Sequence, residues 1–473
     1  MREVLEREDK WDVDDRFEVP DLRSCFGATR VDEDTVDLVS EYYDTRERDL
    51  QAHRILVRRR SGEDDTGWQV KLPAAGGRTE LQWPLTDKPP KSLLDLLIGV
   101  SLGKPLDQLA TVHTVRTRYR FRIDGSDEVY AEIADDRVRA WAGDRLLAWR
   151  EVEVELGPGV TSMPKAVVKR LRAAGARPSQ HPSKLAHVLP PPPRAKPESV
   201  AARAFTEYLD AQVDAIVAGD IGLRRGQDPI HDTRVAMRRL RSSLRVFDRV
   251  LDDSAVAGLE DELKWFAALL GEVRDCQVQR QRFTEAIDEL PVELVLGPVR
   301  SRVHHDLQAV ELPARAAVRE AMDSPRYLAI LAVLRRWRDE PPVCPGVTTA
   351  QIRKAAEKAQ RKADRRLEAA MADGSPTEWH RARKACKRAR YAAELCTGLP
   401  RSKKAERTVK HYKEFQSVLG DQQDTVVAEE VLRRMGVAAG TTVGENGFTF
   451  GLLYAREQRI AQECRAKARE LAG

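Results

Sequence analysis

Residues 189–199 read LPPPPRAKPES, and this stretch divides the chain. Proline fixes φ and has no amide hydrogen to donate, so a run of four suits neither a helix interior nor a central strand. It reads as a stiff linker, taken as residues 191–199. Upstream, RILVRRR, WQVKL, VYAEIA and WREVEVEL alternate charged with apolar residues, the period-two pattern of β-strands. Downstream, long stretches rich in Ala, Leu, Glu and Arg follow a 3.6-residue period and read as helices. Strands first and helices second predict an α+β chain of two domains, residues 1–190 and 200–473. A single core would be too small for 473 residues in any case.

The two parts differ in charge. Of 80 Lys and Arg and 75 Asp and Glu, residues 191–473 hold 49 and 41, leaving 31 and 34 for residues 1–190. A basic second part and a slightly acidic first part imply different tasks. The most apolar stretch, SLLDLLIGVSLG from Ser92, is interrupted by Asp95, so no membrane span is expected. The opening MREVLEREDKW is too charged for a secretory signal. Six scattered cysteines without a CxxC pair point to reduced thiols in a cytoplasmic protein, not to a disulfide frame or a zinc site.

In the first part, acids and bases recur at spacing two, which places them on one face of a strand. Glu6, Glu8 and Lys10 form one such set, and Glu151, Glu153 and Glu155 another. Arg54, Arg58 and Arg60 share a register, as do Arg116, Arg118, Arg120 and Arg122, with Arg78 and Glu80 as a mixed pair. For any one segment the plainer explanation is a strand with one wet and one core face. Three successive carboxylates turned inward would instead need cations. A sheet closed on itself would turn all these faces into one lumen. There, basic side chains would meet phosphate oxygens and carboxylates would hold Mg2+ or Mn2+, a combination suited to phosphoryl chemistry.

Glu6-x-Glu8-x-Lys10 resembles the ExExK signature of the CYTH domain, the triphosphate tunnel metalloenzymes. Further pieces follow in the family's order: EYYDT from Glu41, Leu56 before Arg58-x-Arg60, GWQVKLP with Lys71, and Arg78-x-Glu80. TRYR with Arg118 and Arg120, AEIADDRV with Glu132 and Asp136, EVEVEL, and HPSKLA with Lys184 complete the set. The resemblance implies an antiparallel eight-stranded β tunnel or barrel with helices. Lys10, Arg58, Arg60, Lys71, Arg78, Arg118, Arg120 and Lys184 would then grip and process a triphosphate. Glu6, Glu8, Asp136, Glu153 and Glu155 would hold the metal, with Asp135 and Glu151 as alternatives to their neighbours. The family includes triphosphatases, thiamine triphosphatases and adenylate cyclases. The absence of an arguable nucleobase pocket favours a simple inorganic triphosphate.

In the second part, PIHDTRVAMRRLRSSLRVF, residues 229–247, places His231, Arg234, Arg238, Arg241 and Arg245 within about 80° of helix circumference. WHRARKACKRARYAAEL from Trp379 repeats the device with His380, Arg383, Lys387 and Arg390. His380 follows His231 by 149 residues, and the same offset pairs LKWFAALLGEVRDCQV from Leu263 with YKEFQSVLGDQQDTVV from Tyr412, Lys264 with Lys413 and Asp275 with Asp424 among them. A constant offset predicts an internal duplication. A charged stripe is ordinarily a solvated face, but such faces mix signs, and these stripes carry no acid. Cations one helical turn apart, twice over, suit a polyanion.

This part resembles a CHAD domain. The resemblance implies a duplicated all-α helical bundle that binds inorganic polyphosphate through these nine residues and Lys413, with Lys387 departing from the first half's Arg238. The run RKAAEKAQRKADRR from Arg353 would extend the basic surface, although Glu357 and Asp364 fit a mixed solvated helix. Together the resemblances imply a metal-dependent triphosphatase joined to a polyphosphate-binding domain, associated with polyphosphate granules. The alternative is a non-catalytic polyphosphate-binding protein. Nucleic acid is disfavoured because neither stripe interleaves aromatic residues for base stacking.

Overall fold

Alternation along the strands decides which side of the sheet each residue serves. The computed structural model describes residues 2–471 apart from 63–65, 124–127, 158–159, 161, 192–193 and 195. It forms two compact units, Met1–Pro193 and Arg194–Gly473. Of the linker, Pro192, Pro193 and Ala195 lie outside the described residues. Its approach is fastened to the first unit: Gln51 Nε2 donates to the Leu189 carbonyl at 2.8 Å and Arg48 Nη1 to that of Pro190 at 2.9 Å.

The first unit is built on ten strands: β1 (Arg2–Glu6), β2 (Glu8–Val13), β3 (Arg30–Asp44), β4 (Leu56–Gly62), β5 (Gly67–Ala74), β6 (Gly77–Trp83), β7 (Asp107–Arg122), β8 (Val129–Ala142), β9 (Arg145–Leu156) and β10 (Arg177–Pro178). Their order is β1-β6-β5-β4-β3-β7-β8-β9-β2-β10, with antiparallel neighbours throughout. The sheet is therefore not one closed ladder. A single N-terminal segment spans its two edges, β1 pairing with β6 and β2 with β9. Between them Arg7 leaves the ladder, and its carbonyl accepts from the Leu156 amide at 3.0 Å. Counting that segment once and setting aside two-residue β10 gives the eight long strands of a tunnel.

The apolar faces point away from the lumen. Val152 and Val154 on β9 and Ile133 on β8 are fully buried against Trp11, Phe26, Phe121 and the helix Lys165–Ala173, which contributes Val167 and Leu171. Each such side chain contributes roughly 1.5–3 kcal/mol by leaving water. The opposite residues, Glu151, Glu153 and Asp136, are buried as well, but in polar surroundings. Asp135 points outward, where Arg150 holds it at 2.6 Å. Arg54 departs from the expected register. It lies outside β4 at φ 61°, so only Arg58 and Arg60 share the inner face. In EYYDT, the Asp44 carboxylate accepts from the amides of Thr45, Leu50 and Gln51 at 2.7–2.9 Å, tying the end of β3 to the turn beyond.

The second unit is helical. Its longest elements are Val200–Arg224, Ile230–Val246, Leu259–Asp288, Val299–Met322, Thr349–Asp373, Pro376–Thr397, Lys403–Gly440 and Phe448–Glu470. Ser199, Thr348 and Ser375 cap three of these starts with side-chain oxygens, and Thr348 does so in a capping box with Gln351. The first and fifth of these helices both span 25 residues and begin 149 residues apart; the fourth and eighth, of 24 and 23 residues, begin at the same offset. Among the described residues no helix is long and apolar enough to cross a membrane.

Candidate functional site

Inside the tunnel, a cavity of roughly 210 Å³ is lined by eight basic side chains, Lys10, Arg58, Arg60, Lys71, Arg78, Arg116, Arg118 and Lys184. Five carboxylates join them: Glu6, Glu8, Glu132, Glu153 and Glu155. The cations thus outnumber the acids before any ligand enters. Arg58 and Arg60 come from β4, Lys71 from β5 and Arg78 from β6. Lys184 opens a short helix, Lys184–Val188, whose N-cap Ser183 Oγ accepts from the Ala186 amide at 3.1 Å.

The acids fall into two sets. In the first, oxygens of Asp136, Glu151 and Glu153 lie within 4.8 Å of one another, close enough to share one cation. The Lys184 ammonium stands 2.7 Å from each. Arg116 adds a fork onto Asp136, two bonds of 2.7 Å, and a contact to Glu153, which Lys10 also meets. Burial opposes charge on these groups, but their mutual attraction wins. Glu153 and Asp136 are held below the usual carboxylate range, and Lys184 is held above its ordinary value.

The second set is under-compensated. Burial, then the neighbouring charges of Glu6, Glu132 and Glu8, push Glu155 up to about 7 against the pull of Lys71. Glu6 is likewise raised by burial and by Glu80 and Glu8, although Lys71 pairs with it. Glu80 itself lies beneath Arg58 and Lys71, each 3.3 Å away, and is pulled down to about 2. Carboxylates crowded together without enough positive charge are a donor set suited to a hard divalent cation.

Two expected residues stand apart from the lining. Asp136 is completely buried behind Lys184 and Arg116. Arg120 pairs with Glu132 at 3.0 Å and Asp34 at 3.4 Å, outside the cavity. Conversely, Arg116, Glu132 and Tyr42, to which the sequence assigns no role in the site, all line it. Arg116 was legible as the first member of the Arg116–Arg122 alternation, and Glu132 as sharing parity with Asp136.

The helical unit holds a second cavity of roughly 380 Å³. Arg238, Arg241 and Arg245 reach it from Ile230–Val246, and His380, Arg383, Lys384, Lys387 and Arg388 from Pro376–Thr397. Lys264 also lines it, and Glu260 is the one carboxylate among the described lining residues. Glu260 meets Arg245 at 2.5 Å and Arg241 at 3.4 Å. Elsewhere cations face cations. Buried nitrogens of Arg234, Arg238, Arg241 and Arg383 have no hydrogen-bond partner. Burial, with Arg383 and Arg238 adding and Asp424 opposing, lowers Lys387 to about 7. Arg234 and Arg383 are lowered too, by burial first, with Asp275 and Asp424 opposing and neighbouring arginines adding.

Glycine makes room for this crowding. A Cβ at Gly271 would lie 2.6 Å from Arg234 Nη1, which explains the glycine of LLGEVRD. Four expected residues do not line the cavity. Arg234 stands behind it against Gly271, and Arg390 is engaged by Glu394 at 2.9 Å and Gln416 at 3.1 Å. His231 and Lys413 are exposed on their helices. Tyr391 is only 2% exposed, and Arg239 and Arg390 lie over its ring at 5.5 and 5.9 Å, so no aromatic face is open to a base there.

Comparisons with known proteins agree with this division. A CYTH domain model matches residues 17–186 and a CHAD domain model residues 207–433. Glu6, Glu8 and Lys10 precede the first match, so their place in the tunnel rests on the strand pairing. Uncharacterized proteins from two strains of Mycobacterium tuberculosis are 32% identical over 504 residues, covering 98% of this chain and 94% of theirs. Among solved structures, PptA from Streptomyces chartreusis aligns with 57% of this chain and 98% of its own, at 20% identity and a TM-score of 0.48. The CHAD domain from the plant Ricinus communis aligns with 59% of this chain and 94% of its own, at 26% identity and a TM-score of 0.46.

Proposed function

The chain belongs to the CYTH and CHAD families and to that of the Mycobacterium tuberculosis proteins it matches end to end, and on that premise we propose that its tunnel hydrolyses inorganic triphosphate or short polyphosphate while its helical unit binds inorganic polyphosphate. One observation carries the proposal: the tunnel sets eight cations around five carboxylates, of which Glu155, crowded by Glu6, Glu132 and Glu8, is pushed up to about 7. Arginines and lysines from opposite walls bind and orient the phosphate chain, and the fork of Arg58 and Arg60 suits its oxygens. Glu6, Glu8 and Glu155 are the ligands favoured for Mg2+ or Mn2+, with Asp136 and Glu153 alongside in the Lys184 set. The metal would supply charge neutralisation at the phosphoryl oxygens and polarise water. Enclosure by the strands excludes bulk solvent and strengthens each of these interactions.

In the helical unit, unpartnered arginine nitrogens are donors waiting for an anion, and a linear polyanion satisfies several at once. The test of the tunnel is phosphate release from tripolyphosphate, pyrophosphate, long-chain polyphosphate, ATP and thiamine triphosphate, with and without Mg2+ or Mn2+. Metal-dependent release from tripolyphosphate, lost in Glu6→Gln with polyphosphate binding intact, is the expected result. Binding without release from any substrate would leave the non-catalytic alternative. Arg238→Ala with Arg383→Ala should weaken polyphosphate binding and spare turnover of tripolyphosphate.

A further inference from the structure

The basic cavity of the helical unit does not end at Arg245 and Arg388. The same two side chains form one wall of an adjoining groove, whose other wall is the helix Thr349–Asp373 with Lys358 and Lys362. Its floor is made of alanines, Ala355 and Ala359 from that helix and Ala385 from Pro376–Thr397. A methyl floor lets a thin chain lie close to both helices, while cations on each side are placed to meet its oxygens.

These cations are available. Among the described residues, no carboxylate lies within salt-bridge distance of Lys358, Lys362 or Arg388. The acids that would make this an ordinary mixed helix are engaged on another face. Glu357 pairs with Lys404 at 3.1 Å, and the Asp364 carboxylate accepts from the Tyr412 hydroxyl. Lys358 and Lys362 are exposed, and as like charges at i and i+4 they repel one another without recompense from the fold. Arg388 is crowded in the same way, lowered by burial and then by Arg245 and Arg241, with Glu260 opposing. Asp248 is the one carboxylate among the groove's described lining residues and Glu260 engages Arg245, so the groove continues the positive charge out of the cavity through Arg388, Lys358 and Lys362.

We propose that this groove carries the outgoing stretch of a polyphosphate chain whose other part lies in the basic cavity, so that Lys358 and Lys362 select long chains over short ones. The proposal rests on the polyphosphate reading of the helical unit and adds a subsite and a length preference to it. The groove offers no exposed aromatic ring, so a phosphate chain without bases fits it better than a nucleic acid.

The experiment uses the full chain in EDTA, which prevents turnover, and measures affinity for long-chain polyphosphate and for tripolyphosphate at several salt concentrations. Lys358→Ala with Lys362→Ala should weaken long-chain binding roughly tenfold and flatten its log–log salt slope by about 1.4, the share of two lost phosphate contacts. Tripolyphosphate affinity and the release of phosphate from it after metal is restored should stay as in the unaltered chain. The charge-conserving pair Lys358→Arg and Lys362→Arg should keep long-chain affinity. Unchanged long-chain affinity in the alanine pair, or an equal loss for both ligands, overturns the proposal. Single-stranded RNA bound as tightly, with the same sensitivity to the alanine pair, overturns it too, because the groove would then be a general basic surface. If Arg238→Ala with Arg383→Ala leaves long-chain binding intact, the polyphosphate reading of the cavity itself fails, an outcome distinct from failure of the groove alone.

Discussion

Two glutamates two positions apart on β9 should behave in opposite ways. Glu153 has Lys10, Lys184 and Arg116 around it, so Glu153→Gln strands buried cations and should cost about 3 kcal/mol, read as a fall in Tm. Glu155 stands among other carboxylates, so Glu155→Gln should leave Tm unchanged or raise it while removing metal-dependent phosphate release. Lys387 gives a pH signature in the other unit. Its folded pKa of about 7 lies below the ordinary 10.5, so between those values the unfolded chain holds more protons. This group therefore makes stability rise with pH across that window. Polyphosphate favours the charged ammonium, so binding just above pH 7 should take up a proton and weaken as pH climbs. Calorimetry in buffers of different ionisation heat reads that uptake, and Lys387→Met should abolish it. Gly271→Ala provides a third contrast. Alanine favours a helix by up to about 1 kcal/mol, yet its methyl would displace Arg234, so stability should hold while polyphosphate affinity falls several-fold.

At the level of elements, the short helix Lys184–Val188 depends on one cap. Ser183→Ala should cost about 1 kcal/mol and loosen Lys184 from its three carboxylates, lowering turnover more than substrate affinity. Strand parity made most inner-face residues legible from sequence, because side chains alternate strictly: Glu151 and Glu153 turn inward and Val152 outward. Parity also separates Asp135 from Asp136, but it does not say which of the two faces inward; Arg150 on the outer face decides that. Depth along the tunnel was not legible. Arg116, Arg118 and Arg120 share one face, and only the pairing of Arg116 with Asp136 and Arg120 with Glu132 shows which lies deep and which lies outside. The helical stripes show the same limit. Arg238, Arg241 and Arg245 reach one cavity from a common arc, whereas His231 and Lys413 are exposed on their helices and do not line it, and packing between helices far apart in sequence is not written in a single helix's period.

For the whole molecule, two units and their classes followed from a proline run and a change of period, both of which are local signals. How β1 and β2 divide one segment between two sheet edges was beyond them, since strand order is set by contacts far apart in sequence. The energetics of the two units also differ. The tunnel pairs most of its cations with carboxylates, whereas the helical cavity leaves buried guanidinium nitrogens unpaired. Ligand present at a hundred times its Kd should therefore stabilise the helical unit by about 2.7 kcal/mol, seen as a rise in its thermal transition that salt removes.

The buried guanidinium nitrogens left without partners in the helical unit have a consequence for the protein's persistence. A fold whose centre repels itself until an anion arrives opens more often when that anion is scarce, and proteases act on what opens. Survival of the chain in a protease digest should lengthen with added polyphosphate and not with equimolar orthophosphate. Its abundance would then follow the cell's phosphate reserve with no dedicated sensor.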